Sequence, residues 1–249
     1  MTRALLLLAL VPACVGDTGG ARVDFTAEVA AVAPVTGGAI AYDDAITGWH
    51  VELRTANAVV GPVYLWSGKP LGDLQRDADQ FAYGFLRGEV VSQVAVDLIA
   101  ASGQRVPLGP GDGLAGESLS GELWLAPPLG DLAPHTFEIA GRATKGAIAI
   151  DFHGALTIDD SIVDESTGAT AFERRKVRAI PLGADIVDGG TLTIRADARA
   201  WLAGADFGAL SPSDPAIPVE LAPGDPVFAQ WLYQVRQARG PWALAWTAP

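Results

Sequence analysis

The chain has one cysteine, one methionine and three histidines in 249 residues. A lone thiol cannot close an intrachain disulfide or build a cysteine-based metal site. No stretch reaches the roughly 20 consecutive apolar residues that a spanning helix needs. No phosphate loop of the form G-x-x-x-x-G-K-[ST] is present, no G-x-S-x-G nucleophile elbow and no D-x-[DN]-x-[DN]-G calcium loop. Basic residues are scarce: 17 Lys and Arg against 29 Asp and Glu give a net charge of −12. That deficit argues against nucleic acid and anionic lipid as partners, because both need basic surface. There is no repeat of fixed period and no alternation of strands with long helices, which sets aside solenoid and parallel α/β folds.

The first 14 residues are patterned. Arg3 precedes an apolar run from Leu5 to Val11, and Val11-Pro12-Ala13-Cys14 follows. A positive start before a short apolar core reads as a removable signal. The segment resembles a bacterial lipoprotein signal with its lipobox. The resemblance implies cleavage after residue 13 and acylation of Cys14. Residue 15 is Val; in enteric-type lipoproteins an Asp there marks inner-membrane retention, so the resemblance points to the outer membrane. Removing residues 1–13 takes one Arg and no acid, making the net charge one unit more negative. Residues 14–21 read as a glycine-containing flexible tether. Residues 22–249 are expected to form one β-rich domain, with 127–134 as the alternative boundary between two.

Period-two alternation dominates that body. Val23, Phe25, Ala27 and Val29 alternate with Asp24, Thr26 and Glu28, and Trp49, Val51 and Leu53 with His50, Glu52 and Arg54. Ala39–Tyr42 is expected to pair back across a Gly37-Gly38 turn. Further strands are expected over 57–66, 89–100, 119–126, 136–144, 147–158, 176–182, 191–197 and 242–246. Gly61-Pro62 marks a bulge or an edge, since proline cannot donate to a ladder. Gly109-Pro110-Gly111-Asp112-Gly113 reads as a turn. Residues 161–174 read as a loop and 201–207 as a short helical turn. A helix is expected over Pro226–Ala238, with Phe228, Trp231, Leu232 and Val235 on one face. Most of the seven Trp are expected in the core. The fold class is all-β: an antiparallel sandwich or barrel-like domain with one or two short helices.

Candidate chemistry is sparse. His50 and His153 lie on polar strand faces, without the spacing that puts two imidazoles side by side. With the loop acids Asp77 and Asp79 they are the metal-ligating candidates, for copper or calcium. His135 falls in a loop. Gly116-Glu117-Ser118-Leu119-Ser120-Gly121 is nearest to a nucleophile elbow and fails its spacing. Aromatics on a sheet face suit sugar rings, which leaves a glycan or an envelope protein as the expected partner. The order of lipobox, Trp49-His50-Val51-Glu52-Leu53, Gly61-Pro62-Val63-Tyr64-Leu65 and Phe228-x-x-Trp231 is similar to uncharacterised bacterial lipoproteins with an all-β body. Some of those resemble copper-associated periplasmic β-proteins with histidine-rich loops. The corresponding loop here, Arg76 to Tyr83, contains no histidine. The resemblance implies a non-enzymatic envelope protein anchored through Cys14. A periplasmic metal-binding protein and a secreted hydrolase are the alternatives.

Overall fold

The computed structural model describes residues 20–69, 84–159, 170–210 and 217–249. Among the described residues, fourteen strands form two sheets. The eight-stranded sheet holds β1 (Arg22–Ala31), β4 (Val63–Trp66), β5 (Leu86–Val90), β7 (Arg105–Leu114), β8 (Gly116–Trp124), β11 (Lys176–Ile186), β12 (Thr191–Ala196) and β14 (Trp242–Thr247). Their spatial order is β11-β8-β4-β5-β7-β1-β12-β14, and the end strands β11 and β14 curl together into a nearly closed barrel. The six-stranded sheet holds β2 (Ile40–Asp43), β3 (His50–Val60), β6 (Val94–Asp97), β9 (Phe137–Lys145), β10 (Ile148–Leu156) and β13 (Val219–Leu221). The fold is all-β and barrel- and sandwich-like. Most pairings are antiparallel, but β1–β12 and β10–β13 are parallel.

The chain changes sheet repeatedly. β3 passes to β4 at Gly61-Pro62, a cis peptide. Gly61 has φ +106°, and a Cβ there would lie 2.3 Å from Ser92 O, so only glycine fits this corner. The second change splits the single strand expected over 89–100: β5 ends at Val90 and β6 begins at Val94 in the other sheet. Strands from both sides of residues 127–134 pair within each sheet, over one continuous cluster of buried side chains.

Three further expectations are corrected. Ala39 closes only a small bridge to Thr36, while β2 pairs with β3. Gly109 to Gly113 is no turn but the middle of β7, paired with β1. Glycine serves close approach there: a Cβ on Gly111 would sit 2.3 Å from the Phe25 ring, and one on Gly113 2.2 Å from Arg87 O. Ile148, expected to face inward, starts β10 beside the hairpin turn and is 54% exposed. Inward packing along β10 starts at Ile150.

The core is aromatic. Phe137 and Phe152 on the inner face of the six-stranded sheet meet Trp201 and Phe207, at centroid separations of 5.3 and 4.9 Å. Trp201 and Phe207 come from 3₁₀ turns at Ala198–Leu202 and Phe207–Ala209. Trp49 meets Phe207 at 5.7 Å, and its indole N–H donates to Asp206 Oδ1 at 3.0 Å. Helix α2 (Pro226–Val235), opened by a proline in its first turn, buries Val227, Phe228, Trp231 and Val235. Among the described Trp, Trp49, Trp201, Trp231 and Trp242 are fully buried, while Trp66, Trp124 and Trp246 are only partly covered.

Two stability outcomes follow from this packing. Gly111→Ala forces a methyl into the Phe25 ring and should cost about 1–3 kcal/mol in urea unfolding; an unchanged midpoint would show that β7 yields freely. Phe137→Ala should cost about 3–5 kcal/mol in the same assay, because Trp201 and Trp242 both rest on that ring.

Candidate functional site

Strand alternation places the polar partners of the inward residues on the outer face of the six-stranded sheet. His50 extends from β3, its Nδ1 2.8 Å from Asp43 Oδ1 on β2 and its Nε2 3.8 Å from Glu52 Oε1. His153 extends from β10, with Nδ1 2.7 Å from Glu220 Oε2 on β13 and Nε2 3.6 Å from Glu138 Oε1 on β9. The sequence-predicted histidines therefore share a face but not a site. His50 pairs with Thr144 and His153 with Ala140 on the intervening β9. Four residues along a strand and two strand spacings separate their Cα atoms by about 16 Å. Each imidazole is engaged by carboxylates. Among the described residues, no group of three or more His, Cys, Asp or Glu is placed to hold a metal ion. Asp77, Asp79 and Cys14 lie outside the described residues.

His135 stands on the rim of a groove of about 280 Å³ over β3, β6 and β9. Asn57 lies opposite Asp97 on one side and Glu138 on the other. Asn57 Nδ2 donates to Glu138 Oε2 at 3.2 Å, and Asp97 Oδ1 accepts from the backbone of Ile99 and Ala100. Asn57 and Glu138 thus hold each other across the strands, while Asp97 caps the turn that follows β6. The serines near the failed nucleophile pattern are likewise committed: Ser118 Oγ donates to Trp66 O and Ser120 Oγ to Gly68 O. Both are buried in the eight-stranded sheet, away from all three histidines, which belong to the other sheet or its connections.

The sequence reading missed a different cluster, on the outer face of the barrel. Tyr64 on β4, Glu122 and Trp124 on β8, and Lys176 and Arg178 on β11 are brought together by the strand order β11-β8-β4. Helix α1 (Ala171–Arg174) adds Phe172 and Glu173. It falls in the stretch expected to be loop. Its signal was present as Thr170-x-x-Glu173, the spacing of a capping box, and Thr170 Oγ1 accepts from Glu173 N at 3.3 Å. Lys176 Nζ lies 3.9 Å from the Phe172 ring centroid and 5.2 Å from that of Trp124. It also reaches Glu173 Oε1 at 2.7 Å. Arg178 bonds Glu173 and stands 3.5 Å from Glu122 Oε2, while Trp124 Nε1 donates to Glu122 Oε1 at 2.5 Å.

The electrostatics follow these contacts. The Lys176 hydrogen bond, against some burial and with help from Arg178, holds the Glu173 carboxyl below its usual range. Burial, with the charges of Glu89 and Glu122, pushes the Tyr64 phenol up. Phe172 remains 49% exposed. The cluster is a charge-balanced aromatic surface that offers ring edges and fixed donors and acceptors.

His153 gives a pH test. The hydrogen bond to Glu220, opposed by burial and reinforced by the Glu220 and Glu138 charges, raises the imidazole above its ordinary value. The protonated ring therefore stabilises the fold fully below the unfolded value of about 6.5. That contribution is lost as pH rises through the higher folded value. The pair is solvent-screened, so the effect should stay below about 1 kcal/mol. The urea midpoint should fall over that window, and His153→Gln should remove this part of the slope; an identical slope in the variant would contradict the assignment. Comparison of the chain with protein families, curated proteins and solved structures finds no match.

Proposed function

We propose that this chain is a non-enzymatic, lipid-anchored protein of the bacterial cell envelope that presents a binding or structural β domain. The N-terminal pattern up to Cys14 supports the address, and Val15 supports the outer membrane. One observation carries the rest: the chain leaves the barrel at one end, and the Trp124–Phe172 side of the aromatic–cationic cluster lies toward the other. Ala21 O accepts from Ala115 N at 2.8 Å, which fixes the exit beside the start of β8. Trp124 ends β8, nine residues long and so about 27 Å away at strand rise. A lipid at Cys14 then holds the exit end toward the membrane and turns Phe172 and Trp124 outward. Exposed rings beside fixed polar groups suit a glycan or an envelope protein. Among the described residues no helix is long and apolar enough to cross a membrane, so in this reading attachment comes from the acyl chains. Several chains, at about 0.8 kcal/mol per buried CH₂, make such anchoring stable.

The test uses protein recovered from its own host. Mass spectrometry should find the mature N-terminus at Cys14 carrying acyl groups, and the protein should enter the detergent phase on phase separation. Cys14→Ser should move it to the aqueous phase. An unmodified thiol in an aqueous protein would overturn the proposal.

A further inference from the structure

The exit end of the barrel carries an exposed surface that meets the aromatic cluster only at Glu89, the cross-strand neighbour of Tyr64. Arg22, Leu86, Arg87, Glu89, Asp112 and Leu114 line a shallow depression of about 390 Å³ there. Phe85, at its lip, is 69% exposed and Leu86 39%. The position is held by hydrogen bonds on both sides of Phe85's backbone. Phe85 N donates to Ser67 Oγ at 2.8 Å and Ser67 N to Phe85 O at 2.9 Å. Gly20 packs so closely on Ala115 that a Cβ would lie 2.1 Å from its carbonyl oxygen.

The depression's charges are balanced and only loosely satisfied. Arg22 meets Asp112 at 3.4 Å, with both side chains largely in solvent. Among the described residues, Arg87 makes one hydrogen bond, from Nη1 to Ala115 O at 3.4 Å, and its Nε has no partner. Two guanidinium groups stand beside two carboxylates, with leucine and phenylalanine at the margin. Guanidinium recognises phosphate oxygens through paired donors, and the carboxylates suit an ammonium group. Asp24, Glu117, Asp185 and Asp188 surround this end, which disfavours an anionic membrane surface.

From these features we infer that the exit end seats directly on a bilayer of zwitterionic phospholipid. Arg22 and Arg87 meet headgroup phosphate, Glu89 and Asp112 meet the ammonium, and Phe85, Leu86 and Leu114 enter the interface. The inference rests on the anchoring reading. From Cys14 to Gly20 the chain spans at most about 20 Å, so the anchor keeps this face within reach of the headgroups. Seating adds apolar burial and headgroup contacts to the acyl anchor and fixes which end points away from the membrane.

The test uses the full acylated protein with a nitroxide label at an introduced cysteine, either Leu114→Cys or Leu86→Cys, and Leu129→Cys at the opposite end as reference. In vesicles of phosphatidylethanolamine and phosphatidylcholine, labels at positions 114 and 86 should lose collisions with a water-soluble paramagnetic reagent and gain them with dissolved oxygen. The label at 129 should stay water-exposed. Arg22→Ala with Arg87→Ala should restore aqueous collisions at 114, and phosphatidylglycerol vesicles should give weaker shielding. If Cys14 is acylated but labels at 114 and 86 remain as wet as that at 129, seating is wrong while anchoring stands. Equal shielding in phosphatidylglycerol overturns the headgroup match. An unacylated Cys14 overturns the anchoring reading and the seating with it.

Discussion

The structure depends on burying an aromatic layer between the six-stranded sheet and the segments that cross it. With one cysteine in the chain, no intrachain disulfide limits the unfolded state. Trp49, Phe152 and Phe207 form one set of edge and tilted ring contacts, and Phe137, Trp201 and Trp242 form another. Each large ring removes considerable apolar area from water and prefers such offset geometry. The 3₁₀ turns between β12 and α2 supply two of these rings, and β14 supplies a third. The C-terminal third is thus part of the core that holds the barrel to the second sheet.

That arrangement leaves the two outer faces free for polar work, and they differ. The six-stranded face is a field of paired charges, with His50 and His153 tied to neighbouring carboxylates. The barrel face gathers Tyr64, Trp124 and Phe172 around Lys176 and Arg178. In the first, neighbouring strands neutralise one another. In the second, a cation lies against aromatic rings and one ring stays half in solvent. An exposed surface of that kind is a better candidate for recognition than a set of satisfied ion pairs. The cluster runs from Tyr64, beside Glu89, to Trp124 at the end of β8 farthest from the chain exit.

Glycine accounts for the main sequence-to-structure differences. Gly109 to Gly113 has the composition of a turn, and turn chemistry is the usual reason for such a run. Here the same missing side chains let β7 close over Phe25 and over the backbone at Arg87. Gly61 likewise reads as a bulge, and it becomes the corner where the chain leaves one sheet for the other. The split of residues 89–100 has a different root, since no glycine lies there: local alternation continues through the corner, and only the partners on each side reveal the change of sheet.

The sequence by itself determined the all-β class, because alternation along β1, the start of β3, β12 and β14 encodes which residues turn inward. It also determined the α2 face, through Phe228, Trp231 and Val235, and the lack of a charge pattern suited to nucleic acid. Tertiary structure alone decided which strands neighbour one another. Pairing forces between backbone groups are the same for every strand, so order and register come from packing across the core. For that reason His50 and His153, similar in sequence context, end on one face about 16 Å apart. For the same reason Tyr64, Trp124 and Lys176, far apart along the chain, meet on three adjacent strands.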